Sequence, residues 1–148
     1  MRIGLVAGLL LMAAACATGT HVPKASAADC LMPKGEWRNQ LGSTLDIQSI
    51  DSATGKVEGR YMTASGAGGW FPLVGWINKG TPGGGHNVET VIAFTVRWDS
   101  IGSITAWTGY CDAKAGTPTL TTLWHLARPS SGYEWDHILT NSDIFTPK

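Results

Sequence analysis

Turn-forming clusters interrupt this chain at short intervals along most of its length. They are "DSATGK" at 51–56, "SGAGG" at 65–69, "KGTPGGGHN" at 79–87, "DSIG" at 99–102, "DAKAGTP" at 112–118 and "RPSSG" at 128–132. Glycine frees the backbone and proline removes a hydrogen-bond donor, so such clusters end regular structure. Between them lie short runs rich in β-branched and aromatic residues, and none sustains a helical period. The pattern predicts strands over 36–40, 43–50, 56–63, 71–78, 88–98, 103–112, 119–127 and 134–140. Short loops joining consecutive strands make an antiparallel meander. The expectation is therefore an all-β, eight-stranded up-and-down barrel, since closure removes every exposed edge. A β-sandwich is the alternative. No internal repeat and no low-complexity tail appears.

The first residues stand apart from this pattern. Met1-Arg2 leads into "IGLVAGLLLMAAACA", and "ASA" follows at 25–27. A basic start, an apolar core and a small-residue site describe a secretory signal peptide. Cleavage is expected after Ala27, with the domain over 28–148, about 120 residues and enough for one core. The apolar run is short and alanine-rich for a membrane span. A lipid-modified Cys16 is the alternative, although "AAAC" lacks the leucine expected three residues before the cysteine. Losing Arg2 and Lys24 from eleven basic residues, and none of eleven acidic ones, gives a net charge of −2. That balance makes no electrostatic case for nucleic acid or an anionic membrane. The expected location is secreted or periplasmic. Two cysteines remain, Cys30 and Cys111. An even count in an exported chain suggests one disulfide, with two buried thiols as the alternative.

The strand faces are unusual. Side chains alternate sides along a strand. In "SITAWTGYC" at 103–111, Ser103, Thr105 and Trp107 share one face. Elsewhere Trp37, Asn39, Leu41, Ser43, Leu45 and Ile47 share a parity, as do Tyr61 and Thr63. So do Phe94, Val96 and Trp98, and so do Leu120, Thr122, Trp124 and Leu126. Aromatics with interspersed hydroxyls and an amide thus line one face of five strands. A buried hydroxyl without a partner costs about 1–3 kcal/mol. A barrel of this size either fills with side chains or holds one small ligand. Convergent donors and acceptors among indoles point to a pocket for a compact molecule with an apolar body and a dense polar head.

At these residues the sequence resembles the avidin and streptavidin family of biotin-binding proteins. The resemblance runs from about Gly35 to Thr146 and rests on "GEWRNQLGSTL", "GRYMTA", "FTVRWDS", "SITAWTGYC", "TLTTLWHLAR" and "SDIFT", in order and at family spacing. It implies non-catalytic binding of biotin as a ligand, with no cofactor. Asn39, Ser43 and Tyr61 would donate to the ureido oxygen. The ureido nitrogens would donate to Asp143 and Thr63. Thr105 would approach the thioether, and Ser103 would hold the valerate carboxylate. Trp98, Trp107 and Trp124 would wall the ring and chain, with Leu126 nearby. Trp135 would reach a neighbouring subunit's pocket, which implies a homo-oligomer, a tetramer in preference to a dimer. Cys30 and Cys111 fall where one branch of the family carries a disulfide.

Some positions depart from the family's pattern. The lid "ASGAGGWFP" is glycine-rich and short, with Ala67 where an asparagine binds the carboxylate through its backbone. Ser65 and Ala67 still offer backbone N–H groups. Thr140 and Ser142 replace more apolar interface residues, which brings a dimer into consideration. Trp70 and Trp76 have no assigned role; both suit a core, and Trp76 also suits an outward interface position. Against an enzyme, the chain has no nucleophile elbow, no H-E-x-x-H and no zinc spacing. His86, His125 and His137 fall beside no nucleophile, and "GTPGGGHN" lacks the Lys-Ser/Thr of a phosphate loop. A lipocalin-like carrier of an apolar ligand is the competing class. Five hydroxyls and an amide facing the pocket would be stranded beside hydrocarbon.

Overall fold

A computed structural model of the chain describes residues 29–79, 88–113 and 116–148. The expected leader over 1–27, Cys16 within it, and His86 lie outside the described residues. Eight strands follow in order: β1 (Gly35–Asn39), β2 (Thr44–Ile50), β3 (Lys56–Met62), β4 (Phe71–Lys79), β5 (Thr90–Trp98), β6 (Ser103–Asp112), β7 (Thr119–Ala127) and β8 (Ile138–Pro147). Each pairs antiparallel with the next, and β1 pairs with β8, so the sheet closes into a barrel. The closing register sets Trp37 against Pro147 and Asn39 against Phe145.

The alternation expected of a half-buried sheet is clearest in β5, where Ile92, Phe94, Val96 and Trp98 are buried and their neighbours are exposed. In β6 the buried set includes Ser103, Thr105 and Trp107, so the face carrying hydroxyls and indole is the inner one. Leu41 breaks the parity of its stretch. It lies in the turn between β1 and β2 and is exposed.

The last strand differs from the expected 134–140. It begins at Ile138 and runs to Pro147. Residues 128 and 137 instead close the β7–β8 loop: Arg128 N donates to His137 O at 2.9 Å, and Arg128 Nε to Asp136 O at 2.9 Å. The aromatic and apolar run near Trp135 reads as a strand, yet it belongs to this loop. The polar residues Asn141, Ser142 and Asp143 fall beyond the expected strand, yet they are strand, because β8 must extend far enough to pair with β1.

One end of the barrel is plugged by Trp37, Leu45, Ile47, Val57, Phe94, Leu120 and Phe145, all essentially inaccessible. A register shift in β2 between Ile47 and Ser49 lies opposite Gly59 of β3. Bulges of this kind sharpen the coil that closure requires. Cys30 is bonded to Cys111 across 81 residues of chain, with Cα atoms 5.2 Å apart. The loop-entropy argument gives such a link roughly 4–5 kcal/mol of stabilisation. It ties the segment ahead of β1 to the end of β6.

Candidate functional site

At the other end, residues of three inter-strand loops (β1–β2, β3–β4 and β5–β6) line the mouth of an open cavity of about 330 Å³. Small-molecule sites run from roughly 300 to 1,000 Å³. Asn39, Ser43, Tyr61, Thr63, Ser65, Ala67, Trp98, Ser103, Thr105, Trp107, Trp124, Leu126 and Asp143 all line it. Of the residues expected to form a site, only Trp135 lies elsewhere.

Asp143 sits at the floor, buried on β8. Its two oxygens are oriented separately. Asn39 Nδ2 donates to Oδ1 at 3.0 Å, and Trp107 Nε1 donates to Oδ2 at 2.9 Å. A carboxylate buried without a cation must be held by such donors. Each oxygen keeps acceptor capacity toward the cavity.

The Asn39 amide is oriented from behind. Its Oδ1 accepts from Leu41 N at 3.1 Å and Ser43 N at 2.8 Å, so its NH₂ faces Asp143 and the pocket. Ser43 Oγ accepts from Ala64 N at 3.1 Å, which leaves its proton to point inward. Tyr61 completes this group. Burial pushes its phenol up to about 12 from an ordinary 10; the hydrogen bond with Ser43 opposes the rise and the Asp143 charge adds to it. The phenol therefore stays a hydrogen-bond donor across the physiological range.

The aromatic wall is interlocked. Phe94 stacks on Trp107 at 5.0 Å, Tyr61 tilts against Trp107 at 5.0 Å, and Phe71 meets Trp98 edge-on at 5.0 Å. Trp98 Nε1 donates to Thr105 Oγ1 at 2.7 Å. That bond spends the indole proton and frees the Thr105 hydroxyl proton for the cavity. Trp98 and Trp107 both satisfy their N–H groups internally and offer apolar ring surface inside.

A family model described as the avidin family matches residues 27–148. The chain belongs to the avidin family. Avidin of Gallus gallus is 33% identical over 134 residues, which span 84% of this chain and 82% of that protein. The crystal structure of core-bradavidin matches with a TM-score of 0.64 at 32% identity, covering 76% of this chain and 97% of that one. A biotin binding protein from chicken matches with a TM-score of 0.66 at 29% identity, covering 78% and 96% respectively.

Further residues of this avidin barrel support the site without having stood out in the sequence. Gln40 grips the backbone on both sides of Asp143: its Nε2 donates to Ser142 O at 3.1 Å, and its Oε1 accepts from Ile144 N at 2.9 Å. Thr122 Oγ1 donates to Asp143 O at 3.1 Å. Both act on main-chain groups, so residue type alone does not announce them; inward parity was the only signal, and only for Thr122. Leu41, Gly66 and Ile101 also line the mouth. Trp135 is 81% exposed and stacked on Tyr133 of its own loop at 5.0 Å, outside the cavity lining. His125 and His137 are exposed, and no group of residues suited to hold a metal occurs among the described residues.

Proposed function

We propose that this chain is an exported, non-catalytic biotin-binding protein. Avidin-family proteins are non-catalytic biotin binders, which supports binding rather than catalysis here. The observation that carries the reading is the Asp143 carboxylate, held by Asn39 and Trp107 with the Ser43 and Tyr61 hydroxyls in the same cavity. A ureido group presents one carbonyl oxygen and two N–H groups on one small head. Asn39, Ser43 and Tyr61 supply donors for the oxygen; Asp143 and Thr63 supply acceptors for the nitrogens. Donors on one side and a carboxylate on the other polarise the ureido group cooperatively in a dry site. Thr105 would meet the thioether, Trp98, Trp107, Trp124 and Leu126 would enclose the apolar body, and Ser103, Ser65 and Ala67 would meet the carboxylate at the mouth.

The protein assembles in this reading as a homo-oligomer, a tetramer in preference to a dimer. Trp135, solvent-facing on its own subunit, would cap the site of a neighbour. Export through the leader over 1–27, with cleavage near Ala27, places the protein outside the cytoplasm. There the Cys30–Cys111 bond can form.

The test is calorimetric titration of the refolded mature chain with biotin, refolding first to remove ligand carried from the host. The expected result is tight binding at one biotin per subunit and a large rise in melting temperature. A folded protein showing neither heat nor thermal shift would remove the reading. A thermal shift with a fatty acid and none with biotin would favour a lipocalin-like carrier.

A further inference from the structure

Trp70 has no part in the site as described, yet it is tied to it. It is the last residue of the loop joining β3 to β4, and Ser65, Gly66 and Ala67 of that loop line the cavity. The loop is fixed at its start. Ala64 N donates to Ser43 Oγ at 3.1 Å, and Thr63 Oγ1 donates to Ser65 O at 3.0 Å. Its middle is unbraced. A side chain added at Gly66, Gly68 or Gly69 would meet nothing within 4 Å, and Gly66 and Gly69 hold φ of +89° and +97°. These are positions where glycine is favoured and neighbours offer no support.

The far end is fixed differently. The Arg60 guanidinium lies 4.2 Å from the Trp70 ring centroid. Arg60 Nε is paired with Asp46 Oδ2 at 2.8 Å, and that same oxygen accepts from Gln48 Nε2 at 3.1 Å. Asp46 is only 9% exposed, so the anchor beneath the arginine is itself seated in the barrel wall. A guanidinium held in one orientation over an indole gives a directional contact, stronger than a mobile surface charge would give.

We infer that Asp46, Arg60 and Trp70 form a latch on the outside of the barrel that positions residues 65–69 over the cavity mouth. Trp70 is thereby a positioning residue for the tail of the ligand. Arg60 and Tyr61 are neighbours on β3 facing opposite sides, so one short stretch carries the latch outside and a ligand donor inside. With both ends pinned, the glycine-rich span has fewer conformations to lose when it closes on a ligand. Ser65, Gly66 and Ala67 line the same cavity as Ser103, where backbone N–H groups would suit an anionic tail; Ser65 N itself is paired with Thr63 Oγ1 at 3.3 Å. This inference rests on the biotin reading for the ligand but not for the latch.

The experiment compares wild type with Trp70→Ala, Trp70→Phe and Arg60→Gln. Dissociation of biotin and of biotin methyl ester, which lacks the anionic tail, is followed by stopped flow. Trp70→Ala and Arg60→Gln are expected to release biotin about tenfold faster, and the ester with little change. Trp70→Phe keeps an aromatic face and should restore most of the difference. A biotin release rate in Trp70→Ala within about twofold of wild type would overturn the latch; so would equal acceleration for both ligands, which marks a general loosening of the pocket. Should wild type bind no biotin, the biotin reading fails first, and limited proteolysis of the ligand-free protein decides the latch alone. Faster cleavage within 65–69 in Trp70→Ala supports it, and an unchanged cleavage rate overturns it.

Discussion

Asp143 concentrates the chemistry of this barrel in one side chain, and its two donors predict what its removal does. Asp143→Ala leaves the Asn39 amide and the Trp107 indole without their acceptor, each at a cost of about 1–3 kcal/mol. Biotin affinity is expected to fall by several kcal/mol, and melting temperature should fall with it. Calorimetry and thermal denaturation on the same preparation check both, and unchanged affinity would show that the site is misplaced. Tyr61 predicts a pH effect of definite sign. Its phenol is raised to about 12 when folded, against 10 when unfolded. Below pH 10 both states keep the proton and the contribution to stability is complete. Between 10 and 12 the unfolded chain ionises first, so folding loses up to about 3 kcal/mol as pH rises. Urea denaturation at pH 9 and pH 11 measures it, and Tyr61→Phe should lack this component.

Among the elements, the inner faces of β5, β6 and β7 were legible because their alternation survives in residue type: Phe94, Val96 and Trp98 bury together, as do Ser103, Thr105 and Trp107. Hydroxyls were read as inward because indoles accompanied them. β8 was harder. Only Asp143 and Phe145 of it are buried, and the other parity carries Ile138, Thr140, Ser142, Ile144 and Thr146, so nothing marked Asn141 and Ser142 as strand. Trp135 drew the boundary too early, since an exposed tryptophan in a loop reads in sequence like a core residue. The glycines in strand interiors were also silent in sequence. A Cβ at Gly109 would stand 2.0 Å from Thr121 O, and one at Gly75 would stand 2.1 Å from Ala93 O. Both contacts are with backbone of the adjacent strand, which cannot move without opening the ladder. Gly109→Ala is therefore expected to cost at least about 2–3 kcal/mol, near the upper range of single substitutions. Its melting curve checks this, and a wild-type midpoint would mean that the β6–β7 spacing is wider than described.

On the whole molecule, charge divides the barrel into two halves. The outer surface of β1 to β3 carries Glu36, Arg38, Asp46, Lys56, Glu58 and Arg60, partly joined in ion pairs. The outer surface of β5 to β8 carries Arg97 and Asp112 at its ends, with His125 and the Tyr110 phenol as the ionisable side chains between them. Val91, Ile104, Tyr110, Leu123, Ile138 and Ile144 are 40–63% exposed on that second surface. Depletion of charge around exposed apolar side chains marks the centre of an interface. A surface shared by two copies of one chain also needs no charge complement if it is neutral, which suits a two-fold contact. Leu123, the most central of these residues and 62% exposed, gives the decisive substitution. Leu123→Glu would bury one carboxylate per subunit with no cation opposite, so the assembly should split into smaller species in light scattering while each barrel stays folded. On the proposed assembly, in which Trp135 caps a neighbour's site, Trp135→Ala should weaken biotin binding and loosen assembly together. A wild-type chain that runs as a monomer at micromolar concentration would refute both expectations at once, because each requires a second copy where none of the two surfaces then meets one.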